Sequence, residues 1–379
     1  MKIAFVYDAV YPWVKGGGEK RIFELARRLV LRGHEVHWYS WGWWLAEEGE
    51  HEIVMEGINL HSIGAPIPLY VNGRRSIKEA IFFALKLIPH LFKQNFDVVD
   101  CQGFPFFSCF SVKLHSITGK SRMIITLLEV WGDYWYTYLG SMGIFGKLLE
   151  KLTLYLSNQI ICISEKTEKD LEELRKIQGL VIPPGIDFQE IQKVPPQQGK
   201  WDLIYAGRLI KEKRVDLLLQ AISYMKNDHP EIKCIIIGDG PEMDALKNLA
   251  NDLDLKNNIE FTGFLENVPD LLSYIKSSQV FILPSEREGF GMVVVEANAC
   301  GVPVVVVESS MNAAVDLVHE GENGFVADPG YEDMALKITY ALNQKDDMYD
   351  NCMDYARDFD WDNIVPRLEE HYQSQLNSK

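Results

Sequence analysis

The chain has 379 residues, enough for two or three domains, and 47 % of them are hydrophobic, with no apolar run near the roughly 20 residues that a membrane-spanning helix needs. Its formal charge of −16 is carried almost wholly by the second half: residues 1–190 hold 21 Lys+Arg against 22 Asp+Glu, residues 191–379 hold 17 against 32. That balance argues against nucleic acid as a partner, while the near-neutral first half can approach an anionic surface that the second half would avoid.

The opening MKIAFVYDAV reads as a short strand, without the length or cleavage region of a signal peptide. Cys101, Cys109, Cys162, Cys234, Cys300 and Cys352 show no CxxC spacing and mostly sit in apolar runs. They read as buried thiols in a reducing, cytoplasmic compartment. A buried strand is predicted over 3–7, and the loop after it ends in Gly16-Gly17-Gly18. Ile22, Leu25, Ala26, Leu29 and Val30 then recur at helical spacing as far as Arg32-Gly33, and a second strand is expected over 35–39. A glycine-bearing turn between a first strand and a first helix commonly holds phosphate. The pattern is not GxGxxG, so no dinucleotide is read from it.

Seven of the nine tryptophans fall before residue 140, with Trp38, Trp41, Trp43 and Trp44 crowded at the end of the second strand. A buried indole N–H needs a partner. These residues therefore read either as the lining of a pocket or a lipid headgroup contact, or as a local hydrophobic cluster under a loop. Residues 76–94 predict a helix kinked at Pro89, with Arg74, Arg75, Lys78, Lys86 and Lys93 set against Ile, Phe and Leu. It is either a basic amphipathic helix facing a membrane or a helix that packs its apolar face on a sheet.

Short apolar runs over 97–101, 123–127, 159–163 and 181–182 read as further strands. PPQQG at 195–199 is polar Pro/Gly punctuation and is taken as the boundary between a first domain, 1–194, and a second, 195–361. A second series of strands and helices follows. A strand over 203–206 leads into Gly207-Arg208-Leu209 and the helix KEKRVDLLLQAI. One over 233–237 ends in GDGPE, at Gly238, and one over 259–262 ends in GFLEN, which contains Leu265.

The richest stretch is QVFILPSEREGFGMVVVEANACGVPVVVVE, 279–308. It predicts a buried strand over 280–283, a glycine-bearing loop, a helix over 292–300 stopped by Gly301 and Pro303, and a strand over 304–307. Strand, loop, helix, strand implies a parallel sheet. Glu288 lies in the loop and Glu296 inside the helix, with seven residues between them. Glycines let backbone N–H groups approach a ligand, and the helix N-terminus favours an anion. A carboxylate inside an apolar helix is costly without donors, and a sugar or ribose diol supplies two. The alternative is that Glu296 is a capped or solvent-facing helix residue and Glu288 a loop charge.

Glu288 and Glu296 in this setting resemble the E-x7-E signature of glycosyltransferase family 4, retaining enzymes of the GT-B fold. The resemblance extends through GGGEKRIFELARRLVLRGHEV, LLEVWGDYWYTYLG, ICISEKT, VIPPGIDFQEI and GRLIKEKR. It implies an α/β protein of two Rossmann-like, doubly wound domains facing an interdomain cleft, with the C-terminal helix 362–379 crossing back to the first domain. It implies a retaining transfer from a nucleotide-sugar to a hydroxyl of a glycan, lipid or lipid-linked glycan. Arg208 and Lys213 would neutralise the donor diphosphate, with Gly16, Gly17 and Gly238 beside it and Leu265 near the base. Glu288, Gly289, Phe290 and Gly291 would hold the donor sugar, and Glu296 the ribose. Glu129, Trp131 and Trp135 are candidate acceptor contacts. The chain departs from the family at Leu128, where a histidine is usual, and at Pro184, where an asparagine is common.

No cofactor and no metal are expected. The acidic pairs Asp252/Asp254 and Asp360/Asp362 lie in polar contexts without accompanying ligands. The expected setting is the cytoplasm, at the inner face of a membrane with peripheral contact. Two other readings keep the fold: a nucleotide-sugar-binding protein without transfer activity, and a nucleotide-sugar 2-epimerase.

Overall fold

The computed structural model describes residues 1–71 and 74–377; the last two positions of the helix expected over 362–379 lie outside them. The chain divides into two compact units, Met1–Pro184 with Trp361–Lys379, and Gly185–Asp360.

Among the described residues the first unit is built on an eight-stranded sheet. Its order is Leu180–Val181, Ile160–Cys162, Arg122–Leu127, Val98–Gln102, Lys2–Val6, Glu35–Ser40, Ile58–Ser62, Glu52–Met55. Every neighbouring pair is parallel except the last, which is antiparallel. Strands buried on both faces read as continuous apolar runs. That is why KIAFV and RMIITL are legible in sequence and the half-exposed EIVM at the sheet edge is not. The helix Trp361–Asn377 packs on Gly17–Leu31 and closes this unit. Its Tyr372 Oη donates to Asp100 Oδ2 on a central strand (2.5 Å), and Arg32 Nε donates to its Glu369 Oε2 (2.5 Å).

The second unit holds a six-stranded, all-parallel sheet in the order Ile259–Gly263, Cys234–Ile237, Trp201–Ala206, Ser278–Leu283, Val304–Val307, Gly324–Ala327. Counted along the chain this is 3-2-1-4-5-6, the doubly wound order. The 27-residue helix Tyr331–Arg357 covers one face, packing against Val215–Met225 and Met292–Ala299.

One expectation, the domain boundary, is corrected here. The chain leaves the first unit at Pro184, not at 194. The short helix Phe188–Lys193 belongs to the second unit: Gln192 Nε2 donates to Ala299 O (2.7 Å), and Lys276 Nζ donates to the carbonyls of Ile191, Gln192 and Val194. One ammonium thus satisfies the carbonyls that a helix end leaves open. PPQQG is a surface loop of that unit, with Ser277 Oγ donating to Gln197 O (3.0 Å).

The tryptophan cluster is core. Trp38, Trp41 and Trp44 are fully buried. The indoles of Trp41, Trp43 and Trp44 donate to Glu79 Oε1 (2.6 Å), Asp8 O (2.9 Å) and Glu50 O (2.9 Å).

Candidate active site

In a doubly wound sheet the strand order reverses at one place, and the loops leaving the two strands there diverge to opposite faces, which opens a crevice at their carboxyl ends. In the second unit that place lies between Trp201–Ala206 and Ser278–Leu283. The loops that leave these strands are Gly207–Arg214 and Pro284–Gly291. They carry Arg208 and Lys213 on one side, and Glu288, Gly289, Phe290 and Gly291 on the other.

These loops are tied together. Glu286 N donates to Glu212 O (2.9 Å), and Lys213 Nζ forms an ion pair with Glu288 Oε1. Residues Arg287–Glu288 pair in parallel with Met311–Asn312, and Asn312 fixes the loop from below. Its Nδ2 donates to Ser285 O (3.1 Å) and Val307 O (2.8 Å), while its Oδ1 accepts from Ala314 N (3.1 Å). On the other loop, Tyr205 Oη donates to Arg208 O (3.1 Å). Burial pushes the Tyr205 hydroxyl pKa up, and the Glu288 charge pushes it further while Arg208 opposes.

Gly291 starts the helix Met292–Ala299 with φ of +95°, and a Cβ there would lie 2.7 Å from Ala314 Cβ. Only glycine fits both the backbone and the space. Glu296 lies just over one turn in and is buried on a helix otherwise of Met, Val, Ala and Asn. Gly238 ends the neighbouring strand with φ of +140°, its α-carbon close against the Gly207 carbonyl. Leu265 sits half-buried in the loop after Ile259–Gly263, on the same edge of the sheet.

The remaining sequence candidates lie in the first unit. Gly16 is the extended residue before the helix Gly17–Leu31, and a Cβ on Gly18 would touch Leu128 at 3.1 Å. The glycine turn and the segment beginning at Leu128 are thus neighbours. Trp131 Nε1 donates to Glu129 Oε2 (2.9 Å), and Glu150 accepts from the backbone N–H groups of Trp131 (2.7 Å) and Gly132 (2.9 Å). The Trp131 ring stacks on Phe104 and meets Trp135 at 4.6 Å. Glu150, Phe104 and Asn312 carried no motif, so sequence reading had no signal for them.

A second missed group is Asp8, Arg75 and Glu79. Arg75, read from sequence among basic helix residues, is buried and forms an ion pair with Asp8. Two carboxyl groups share this one guanidinium away from water. Burial and the neighbouring Asp8 push the Glu79 pKa up to about 8, and burial raises that of Asp8 against the pull of Arg75. Among the described residues no group of three or more His, Cys, Asp or Glu is placed to share a metal ion. Asp254 is bound to Lys226 Nζ (2.9 Å), and Asp360 accepts from Phe188 N (3.0 Å).

Comparison with known proteins agrees with this architecture. Residues 15–190 match the family model described as Glycosyltransferase Family 4, and 187–359 match Glycosyl transferases group 1. The chain is 25 % identical to the phosphatidylinositol N-acetylglucosaminyltransferase gpi3 subunit of Schizosaccharomyces pombe, over 97 % of this chain and 80 % of that one. Its structure is similar to sucrose-phosphate synthase from Thermosynechococcus elongatus (TM-score 0.82, 17 % identity, all of both chains). It is also similar to Anabaena HepE in complex with UDP (TM-score 0.76, 19 % identity, 99 % of this chain and all of that one). The family models and the relatives identify a glycosyltransferase, and the structural neighbours give it the GT-B fold. The chain belongs to glycosyltransferase family 4.

Proposed function

We propose that this enzyme takes a sugar from a nucleoside diphosphate sugar held by the second unit and passes it to a hydroxyl of a glycan, lipid or lipid-linked glycan, with retention at the anomeric carbon and without a metal. The observation that carries the reading is the Lys213–Glu288 ion pair at the switch point, beside a glycine-started helix and on the loop that also carries Arg208.

As the glycosidic bond breaks, negative charge grows on the diphosphate and positive charge on the sugar ring. Fixed cations and a fixed carboxylate aimed at those two places are worth more in a partly desolvated site than in water. Arg208 and Lys213 take the diphosphate. Glu288 faces the sugar, where the N–H groups of Phe290 and Gly291 bind its hydroxyls, and Glu296 takes the ribose diol. In a front-face path the leaving phosphate accepts the acceptor's proton, so the leucine at 128 removes no required base. The UDP in the Anabaena structure supports UDP as the first nucleotide to test, and the name of the fission-yeast relative supports a lipid acceptor. A lipid acceptor in turn favours the cytoplasmic face of a membrane.

Retention is tested on slow transfer to water. The purified chain is incubated with α-linked UDP-sugars, and proton NMR reads the first sugar anomer released. The α anomer is expected. A β anomer formed first would overturn the retaining assignment.

A further inference from the structure

Three helices of the first unit carry apolar side chains on the face turned away from their core. On Ile77–Leu91 these are Ile77, Ile81, Phe82 and Leu85. On Phe107–Ile117 they are Phe110, Leu114 and Ile117. On Gly143–Leu154 they are Ile144, Phe145, Leu148 and Leu152. Each set recurs at three- and four-residue spacing and so forms a stripe. Every one of these side chains is between 37 and 66 % exposed. Phe107–Ile117 packs against both of the other helices, which makes the stripes neighbours on one surface.

The core does not account for these stripes, because each helix already has an inward face. Phe83 and Leu87, Cys109 and Val112, and Thr153 and Leu154 are buried. A helix that is apolar all round is normally covered on all sides. Half-exposed side chains in this number present on the order of 1,000 Å² of apolar surface, above the few hundred Å² usual for a contiguous patch.

Charge decides what covers it. The only acids within the three helices are Glu79 and Glu150, and both are buried. At the margin Asp133 is paired with Lys147 (2.5 Å). Lys78, Lys113 and Lys151 lie on the same helices as the stripes. This basic, acid-free surface belongs to a chain of net charge −16. A second copy docked symmetrically on it would set lysine against lysine.

We infer that this face seats the enzyme on a bilayer containing anionic lipids. The helices lie in the interfacial plane, their apolar stripes enter the acyl boundary, and the lysine stems reach up to the headgroup phosphates. No residue of the donor site takes part, so vesicle binding and donor chemistry can fail independently.

The test is flotation of the full chain with two kinds of vesicle, phosphatidylcholine alone and two parts phosphatidylcholine to one part phosphatidylglycerol. About tenfold more protein is expected with the anionic vesicles, with the excess shrinking as salt screens the lysines. Phe82→Glu with Phe145→Glu should cut that binding about tenfold or more. Both positions are exposed, so the melting curve by circular dichroism should be unchanged, and the milder pair Ile81→Ser with Leu148→Ser should act in the same direction. Equal flotation with both vesicle types, or undiminished flotation of both double variants, would overturn the inference. So would a concentration-dependent dimer by ultracentrifugation that the substitutions dissolve, which would assign the face to a second copy.

Discussion

Lys213 Nζ and Glu288 Oε1 come from loops 75 positions apart in the chain and form one ion pair across the switch point of the second sheet. The two side chains are only 18 % and 13 % exposed. Charge at either position is therefore held by the other, and it is weakly screened by solvent.

Glu288→Gln keeps a hydrogen-bond acceptor for Lys213 but removes the negative charge. The variant is expected to fold and to lose about 10²-fold or more in kcat, because the lost charge lies beside a developing cation. Glu296→Gln should instead raise the KM for donor with kcat little changed, since a diol contact is made equally in ground and transition states. Steady-state kinetics on both variants separates the roles. Near-wild-type kcat in a folded Glu288→Gln chain would move the chemistry elsewhere.

Arg208→Ala and Lys213→Ala are each expected to weaken UDP about tenfold, or about 1.4 kcal/mol, while uridine binding changes little. The turn that carries both residues follows the first strand of the second sheet, at the reversal point. Calorimetry with the two ligands reads the difference, and equal losses would remove the diphosphate role.

Turnover is expected to be unaffected by EDTA, because Arg208 and Lys213 supply the positive charge that a metal would otherwise bring. Initial rates with and without chelator check this. Loss that Mg²⁺ or Mn²⁺ restores would place a metal in the reaction.

The buried group of Asp8, Arg75 and Glu79 carries a pH dependence. The Glu79 pKa rises from its ordinary 4.5 to about 8, chiefly by burial and then by Asp8. Within that window the folded chain holds a proton that the unfolded chain has released. Stability is therefore greatest below it and falls as pH rises through it. Thermal unfolding should show Tm falling from about pH 5 to about pH 8 and levelling off above it, and Glu79→Gln should flatten that fall. Glutamine still accepts from Trp41 Nε1, so the core contact is kept. An identical slope in the variant would show that another group sets the dependence.

Most of the parallel strands were legible because burial on both faces writes itself as uninterrupted Val, Ile and Leu, as in Val304–Val307; the edge strand Gly324–Ala327 was not read. The loop from Pro284 to Gly291 and the helix after it were legible for a related reason: local turn chemistry sits between two such runs. The antiparallel hairpin Glu52–Met55 and Ile58–Ser62 was not, since its alternation is short and its outer strand half exposed. Long-range pairing left no mark either. Nothing in IKEKR or REGFG says that Lys213 meets Glu288, and nothing in NGRRS separates Arg75, buried on Asp8, from Arg74, which is exposed. The tryptophans were read two ways, as a pocket or lipid contact or as a core cluster, and the sequence could not choose because the partners of the Trp41 and Trp43 indoles, Glu79 and the Asp8 carbonyl, lie more than thirty residues away.

The helix Trp361–Asn377 has a consequence for biosynthesis. It completes the first unit from the far end of the chain, through Tyr372 on Asp100 and Glu369 on Arg32. The second unit is continuous, and its two ends are stitched together where Ile186 N donates to Phe359 O (2.8 Å). On a ribosome, the usual order in which the amino-terminal domain finishes first is reversed. The second unit has every residue it needs once position 360 emerges, whereas the first must wait for the last helix with its central strand open on one flank. A polypeptide stalled or clipped before residue 361 would leave the first unit exposed to aggregation and proteolysis, with the second already closed.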